Sequence, residues 1–427
     1  MSNQIYNLIK KLWPINRSLS GKGNRQTLKI LKKINPLLKI KKITSNKKVF
    51  DWKIPLEWNV KDAYVKNKEG KKIVDFKDNN LHLMGYSAPF KGLISYNNLI
   101  KKINFIKSKP NSIPYTTSYY KKRWSFNMSF SNFKKLKKNE EYFVNINSSF
   151  VKGNMNYGEI FFPGKYKKEI LFSTYICHPS MANNELSGPA VSIFLSKWLT
   201  KKKRNYSYRF IFIPETIGSI NYINKNLRYL KKNVLSIFNL TCVGDDKCTS
   251  FMPTKYGNTI ADRIATKILK KKNINYKKYS WLKRGSDERQ YMSVGVEIPT
   301  VSIMSSKYHE YKEYHTSDDN LDFISPKGLN KNFNIHKELI IYIEKLKFPK
   351  NAIICEPNLG KRGLYPSTNN VTQKKTKLKK LAKNVLNFLS YADGCNSLED
   401  ISKLIKLDFK STIKLSEILL KKRLIYF

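Results

Sequence analysis

The stretch Ile170-Leu171-Phe172-Ser173-Thr174-Tyr175-Ile176-Cys177-His178-Pro179-Ser180-Met181-Ala182-Asn183-Asn184-Glu185-Leu186-Ser187-Gly188 decides the fold. Its first seven residues are a short apolar run of the kind that becomes a strand buried on both faces. Residues 191–199 then read as an amphipathic helix. A histidine, amide side chains and a Ser-Gly turn therefore fall where a strand ends and a helix begins. In open α/β sheets that crevice collects ligands and catalytic groups.

Working outward, the apolar strand pattern returns at 208–213, 234–240 and 299–304. Helices are predicted between and after these runs, over 219–230, 259–271 and 327–347. Upstream, 142–146 and 156–161 are further strand candidates. Alternation of this kind predicts an α/β fold, with a mainly parallel mixed sheet and helices on both faces. Residues 4–34 read as two helices. Between 48 and 112 the pattern changes to short strands and turns, which predicts a small inserted β-rich module. The core is then expected from 1–47 and 113–350. Residues 351–374 read as a linker, most polar over 367–376. Three short helices and a terminal apolar strand in 375–427 have the size of a winged helix.

The chain has 427 residues, 41% of them hydrophobic, which is enough to bury a sizeable core. No apolar run approaches the roughly 18 residues of a membrane span. Five scattered cysteines with no Cys-x-x-Cys pair argue against a disulfide framework or a zinc knuckle, and a cytoplasmic location is the expectation. The formal charge of +50 raises nucleic acid as a partner. Only 11 of the 81 basic residues are arginine, however, and the lysines are spread evenly. Bidentate phosphate contacts favour arginine, so the charge reads as a solvated lysine coat and nucleic acid is not an expected partner.

Four clusters fall at predicted strand ends. They are His178 with Asn184 and Glu185; Glu215 in Pro214-Glu215-Thr216-Ile217-Gly218; Asp287, Glu288 and Arg289 after Gly285-Ser286; and His315 after Glu313-Tyr314. Each has an ordinary structural reading, as a turn, a helix start or a loop clasp. Histidine is rare here, with five in the chain, and two of them sit at rim positions of one sheet. That placement favours a metal site, since catalytic zinc takes about three protein ligands and keeps one position open. Glu215 is then the general base or a direct ligand. No Gly-x-Ser-x-Gly elbow or glycine-rich phosphate loop is present, which argues against a serine hydrolase and against nucleotide binding.

The chain resembles, nearly end to end, a family of bacterial aminopeptidase-like proteins of unknown function, often described with polysaccharide biosynthesis. The resemblance runs through Pro14-Ile15-Asn16-Arg17-Ser18, Ile54-Pro55-Leu56-Glu57-Trp58, Ile113-Pro114-Tyr115-Thr116-Thr117, the His178 stretch, Pro214-Glu215-Thr216, Gly285 to Gln290, Tyr314-His315-Thr316-Ser317 and Cys355 to Pro366. It implies a zinc-aminopeptidase-like core, an inserted small β domain and a C-terminal winged helix. More distantly the core is similar to co-catalytic di-zinc aminopeptidases. By that similarity His178 and His315 are metal ligands, Asn184 stands at the bridging aspartate, and Glu215 is the catalytic or the adjacent metal-binding glutamate. Asp287 matches an aspartate of a Ser-Asp pair near the site; Glu185, Asp287 and Glu288 are candidate ligands or groups behind them, and Arg289 and Tyr314 are candidates to position substrate. Asn184, Thr216 and Thr241 are neutral where carboxylates belong, so one zinc is expected and two are the alternative. A peptide or an acylated amino sugar is the implied substrate, and a homo-oligomer is left open. The competing reading is a peptidase-like binding protein without catalysis, using its winged helix as an interaction module.

Overall fold

All seven residues of the strand Glu169–Tyr175 are buried, as its unbroken apolar run requires. In the computed structural model, which describes residues 1–365 and 373–427, this strand lies inside an eight-stranded sheet. The order is Lys39–Thr44, Asn154–Phe162, Ser207–Ile213, Glu169–Tyr175, Val234–Asn239, Thr300–Met304, Ser250–Met252, Lys277–Lys278. The four central strands run parallel. Asn154–Phe162 pairs antiparallel with them on one side and Lys39–Thr44 pairs antiparallel with it in turn, while Ser250–Met252 pairs antiparallel on the other side. The sheet is therefore mixed around a parallel centre. Register puts Phe172 opposite both Phe210 and Phe238, with stacked rings 4.9 and 5.5 Å apart. The edge strand Lys39–Thr44 has no counterpart in the sequence reading, because Lys41-Lys42 breaks its alternation; lysines on an edge also discourage pairing with another chain.

The helix that follows the central strand is Ser187–Thr200, and residues 187–196 are buried without exception. An amphipathic helix was the expectation. It is covered all round because the N-terminal helices Ser2–Leu12 and Lys22–Ile34 also pack on it. Gly188 lets this helix approach the sheet: a Cβ there would lie 2.4 Å from Leu240 O and from Thr174 Oγ1.

A second sheet of four antiparallel strands runs Lys72–Asp75, Glu57–Lys66, Glu141–Val151, Phe90–Ser95. Its longest member, Glu141–Val151, lies outside the 48–112 module and had been placed with the α/β core. The small sheet therefore takes a strand from beyond residues 48–112. The strand alternates buried and exposed residues, the mark of a sheet covered on one face, whereas the core strands are buried throughout.

The chain divides into units Met1–Leu339 and Ile340–Phe427. In the second, helices Gln373–Tyr391, Leu398–Leu404 and Phe409–Lys421 enclose Val385, Phe388, Ile401 and Leu419, and Lys350–Asn351 pairs with Ile425–Tyr426. Ser397 and Asp400 form a capping box at the second helix, and Asp408 caps the third. Leu359 and Leu364 are buried in the same core, so this part of the expected linker belongs to the winged-helix unit. Residues 366–372 of that linker lie outside the described residues.

His336, in the helix Pro326–Ile343, gives a stability prediction. Its ring is fully buried, with Nδ1 2.8 Å from Asn332 O and Nε2 unpartnered. Burial pulls its pKa down to about 4. The folded value is depressed, so the ring's contribution is complete above the unfolded value of about 6.5 and is lost as pH falls toward 4. Between pH 7 and 4 the native chain should lose about 3 kcal/mol relative to His336→Leu, by denaturant midpoints. A constant difference would rule out the buried neutral ring.

Candidate functional site

His178 leaves the central strand at its carboxyl end, and the chain then turns through residues 182–186 back toward it. That turn brings Glu185 under the histidine. One Glu185 oxygen accepts from Cys177 N at 2.8 Å, from His178 N, and from His178 Nδ1 at 2.9 Å. The other meets Arg17 Nε at 2.8 Å, and the same Nε is 3.1 Å from His178 O. All three side chains are buried. With Nδ1 facing the Glu185 carboxylate, His178 turns Nε2 toward Glu215, the ring orientation that metal-binding histidines adopt. Nε2 lies 3.8 Å from Glu215 Oε2.

His315 reaches the same place from another loop. Residues 113–117 pair against 315–317 through Tyr115 N to His315 O at 2.9 Å and a bridge between Pro114 and Thr316. The Tyr115 ring stands 5.1 Å from the His178 ring and 5.0 Å from that of His315, and the two imidazoles are 5.4 Å apart. His315 Nε2 is buried without a partner. Burial, then the neighbouring His178 and His309, hold the His315 pKa well below the usual histidine value, so this ring is neutral and free to donate a lone pair. For His178 burial acts downward, but Glu185 and then Glu215 outweigh it and the value is raised.

Glu215 closes the site. Burial raises its pKa; His178 and Arg289 pull it down and Glu288 pushes it up. The next residue, Thr216, sits at φ 62, a costly conformation for a β-branched residue. It is held there by its neighbours: Asp287 Oδ1 accepts from Thr216 N and from Ser219 Oγ, each at 2.8 Å, and Arg289 donates to Thr216 Oγ1 at 2.7 Å. Asp287 is pushed up to about 7 by burial and then by the Glu215 charge.

Glu288 has both oxygens committed, one to Gly285 N, Ser286 N and Tyr308, the other to Asn239 Nδ2. It ties the loop and does not face the histidines with a free oxygen. Asn184 gives Nδ2 to the Tyr175 hydroxyl at 2.9 Å and leaves Oδ1 buried and unpartnered. Thr241 spends its hydroxyl on Asn184 O and on Tyr175. Tyr314 stacks on His315 at 3.9 Å.

Among the described residues, donors of Cys177, His178 and Glu185 lie within 4.8 Å of one another. They do not by themselves make a metal cage, because the Glu185 oxygens are spent and burial raises the Cys177 thiol well above its ordinary value. The remaining candidate donors are His178 Nε2, 3.8 Å from Glu215 Oε2, and two buried atoms without a partner, His315 Nε2 and Asn184 Oδ1, nitrogen and oxygen groups of the kind zinc accepts.

Sequence reasoning gave no role to Arg17, Tyr115 or Asp319. Arg17 carried a signal, as one of few arginines in a lysine-rich chain. Asp319 is buried, accepts from Asn183 N at 2.6 Å and Asn184 N at 3.0 Å, and is pushed up to about 6 by burial.

The family described as a domain of unknown function (DUF4910) matches residues 6–346, and a winged helix-turn-helix family matches 347–426. A Clostridium acetobutylicum protein named for polysaccharide biosynthesis and an aminopeptidase-like domain is 43% identical over 363 residues, covering 85% of this chain and 83% of its own. The crystal structure of a C. acetobutylicum protein provisionally assigned as a peptidase has a TM-score of 0.80 at 39% identity, over 100% of this chain and 96% of that one. A zinc aminopeptidase from Bacillus subtilis has a TM-score of 0.61 at 14% identity, over 81% and 95% of the two chains. That likeness is one of fold. Among the described residues no helix is long and apolar enough to cross a membrane.

Proposed function

We propose that this chain, which belongs to the DUF4910 family and carries a C-terminal winged helix-turn-helix, is a zinc-dependent amide hydrolase acting at an N-terminal peptide bond or an acylated amino sugar. The observation that carries the reading is the Arg17–Glu185–His178 relay, which fixes one imidazole proton and frees the opposite nitrogen beside Glu215. His178, His315 and the Asn184 carbonyl would hold the ion, which when bound polarises a carbonyl and acidifies water. Glu215 is the group placed to take a proton from the attacking water and return it to the leaving amine. Asp287 and Arg289 hold Thr216 and so aim Glu215; Tyr115 packs against both histidine rings. Asn184, Thr216 and Thr241 supply no charge for a second cation, which favours one ion.

Purified protein should hold close to one zinc per chain, with none in His178→Ala/His315→Ala. A chelator should abolish hydrolysis of an aminoacyl anilide or an N-acetylated hexosamine, and zinc should restore it. A metal-free chain that never turns over either probe would instead support a binding protein on a peptidase scaffold, the reading the neutral positions favour. For the C-terminal unit a protein-docking role is favoured, since the helix Phe409–Lys421 contains no arginine. A salt-dependent shift of duplex DNA by the full chain would overturn that.

A further inference from the structure

A cavity of about 500 Å³ opens at the small β module, and among the described residues no carboxylate lines it. Tyr86, Tyr119, Tyr120 and Phe150 form its aromatic wall, and Lys53, Lys121 and Lys122 its basic side. Lysines alone would mark nothing in a chain of charge +50. The aromatic rim does. Trp52 and Tyr120 are 40% and 53% exposed, with ring centroids 6.2 Å apart. The Tyr120 hydroxyl donates to Lys53 O at 2.8 Å, which pins the ring at the mouth.

The hairpin that carries Trp52 and Lys53 turns through Phe50 and Asp51. Phe50 is 48% exposed at φ 50, where two-residue turns ordinarily use glycine. A bulky aromatic kept in water against local preference points to a use other than folding. The cavity also adjoins the site already described. Tyr119, in its wall, hydrogen-bonds Tyr115, whose ring packs against both imidazoles.

A pyranose offers a face of C–H bonds with partial positive charge, which stacks on the negative face of an aromatic ring. Its hydroxyls suit a wet cavity mouth, and a carboxylate or phosphate on the ring suits unopposed lysines. An apolar ligand would leave the lysines unused, and an acidic peptide would leave the exposed rings unused. We propose that this cavity and its rim form a subsite for an anionic saccharide, holding the sugar-bearing part of the substrate while its amide reaches the histidines. The placement rests on the amide-hydrolase reading; the binding itself does not.

The test uses the full chain stripped of metal, so that a failure of zinc chemistry cannot mimic a failure here. Calorimetry with tetragalacturonate, neutral maltotetraose and tetraglutamate should show the first binding about tenfold or more tighter than the others. Trp52→Ala, and Lys121→Ala/Lys122→Ala, should each weaken tetragalacturonate by about tenfold. Phe50→Gly should weaken binding while the thermal midpoint holds or rises, an outcome a merely structural Phe50 would not give. No binding of tetragalacturonate, equal binding of tetraglutamate, or variants that bind as the native chain does would each overturn the proposal.

Discussion

Replacing Glu215 by glutamine is expected to lower amide turnover by about 10²–10⁴-fold, the usual worth of a positioned general base, with zinc content unchanged. The variant is nearly isosteric, and the backbone that places residue 215 is held from outside it. Thr216 N and Oγ1 are fixed by Asp287 and Arg289, and Glu215 N donates to Cys177 Sγ at 3.2 Å. The loss should therefore appear in kcat with little change in KM, because the missing proton transfer belongs to the transition state. Loss of zinc along with activity would make Glu215 a ligand. Full activity would remove it from the chemistry altogether.

The second large effect concerns Arg17. Substituting methionine leaves Glu185 buried without its countercharge, and breaking such a pair typically costs about 3–5 kcal/mol. Both side chains of the pair are fully buried, so solvent does not screen the loss. Denaturant unfolding at pH 7 should show this destabilisation. Adding Glu185→Gln should recover much of it, since a neutral amide needs no countercharge and its oxygen can still accept from Cys177 N and His178 N. Zinc affinity is the separate readout. With the carboxylate behind His178 gone it should fall about 10–100-fold even where stability returns. A single variant within 1 kcal/mol of the native chain would mean the ion pair is not what holds the turn.

Much of the core was legible from local pattern. Apolar runs at 170–176, 208–213 and 234–240 are too short for buried helices and read as strands covered on both faces, and the helices between them favour parallel pairing. The small sheet was misread at one strand: Glu141–Val151 precedes the core strands in sequence, but its alternation belongs to a one-sided sheet. Lys39–Thr44 was missed because an edge strand needs little apolar character.

For the site, the chain alone determined which residue types stand at strand ends: two rare histidines, Glu215, and neutral side chains at 184, 216 and 241. Spacing along the chain says nothing of what lies behind them. Only the tertiary structure decided that Glu185 serves His178 and Arg17, and that Glu288 is spent on its own loop. It also decided that Tyr115 joins the two imidazoles. The physical reason is that periodicity reports burial, which each residue carries locally. Hydrogen-bond partnership depends on groups brought together from positions 17, 115, 178 and 315, and no local pattern encodes that meeting.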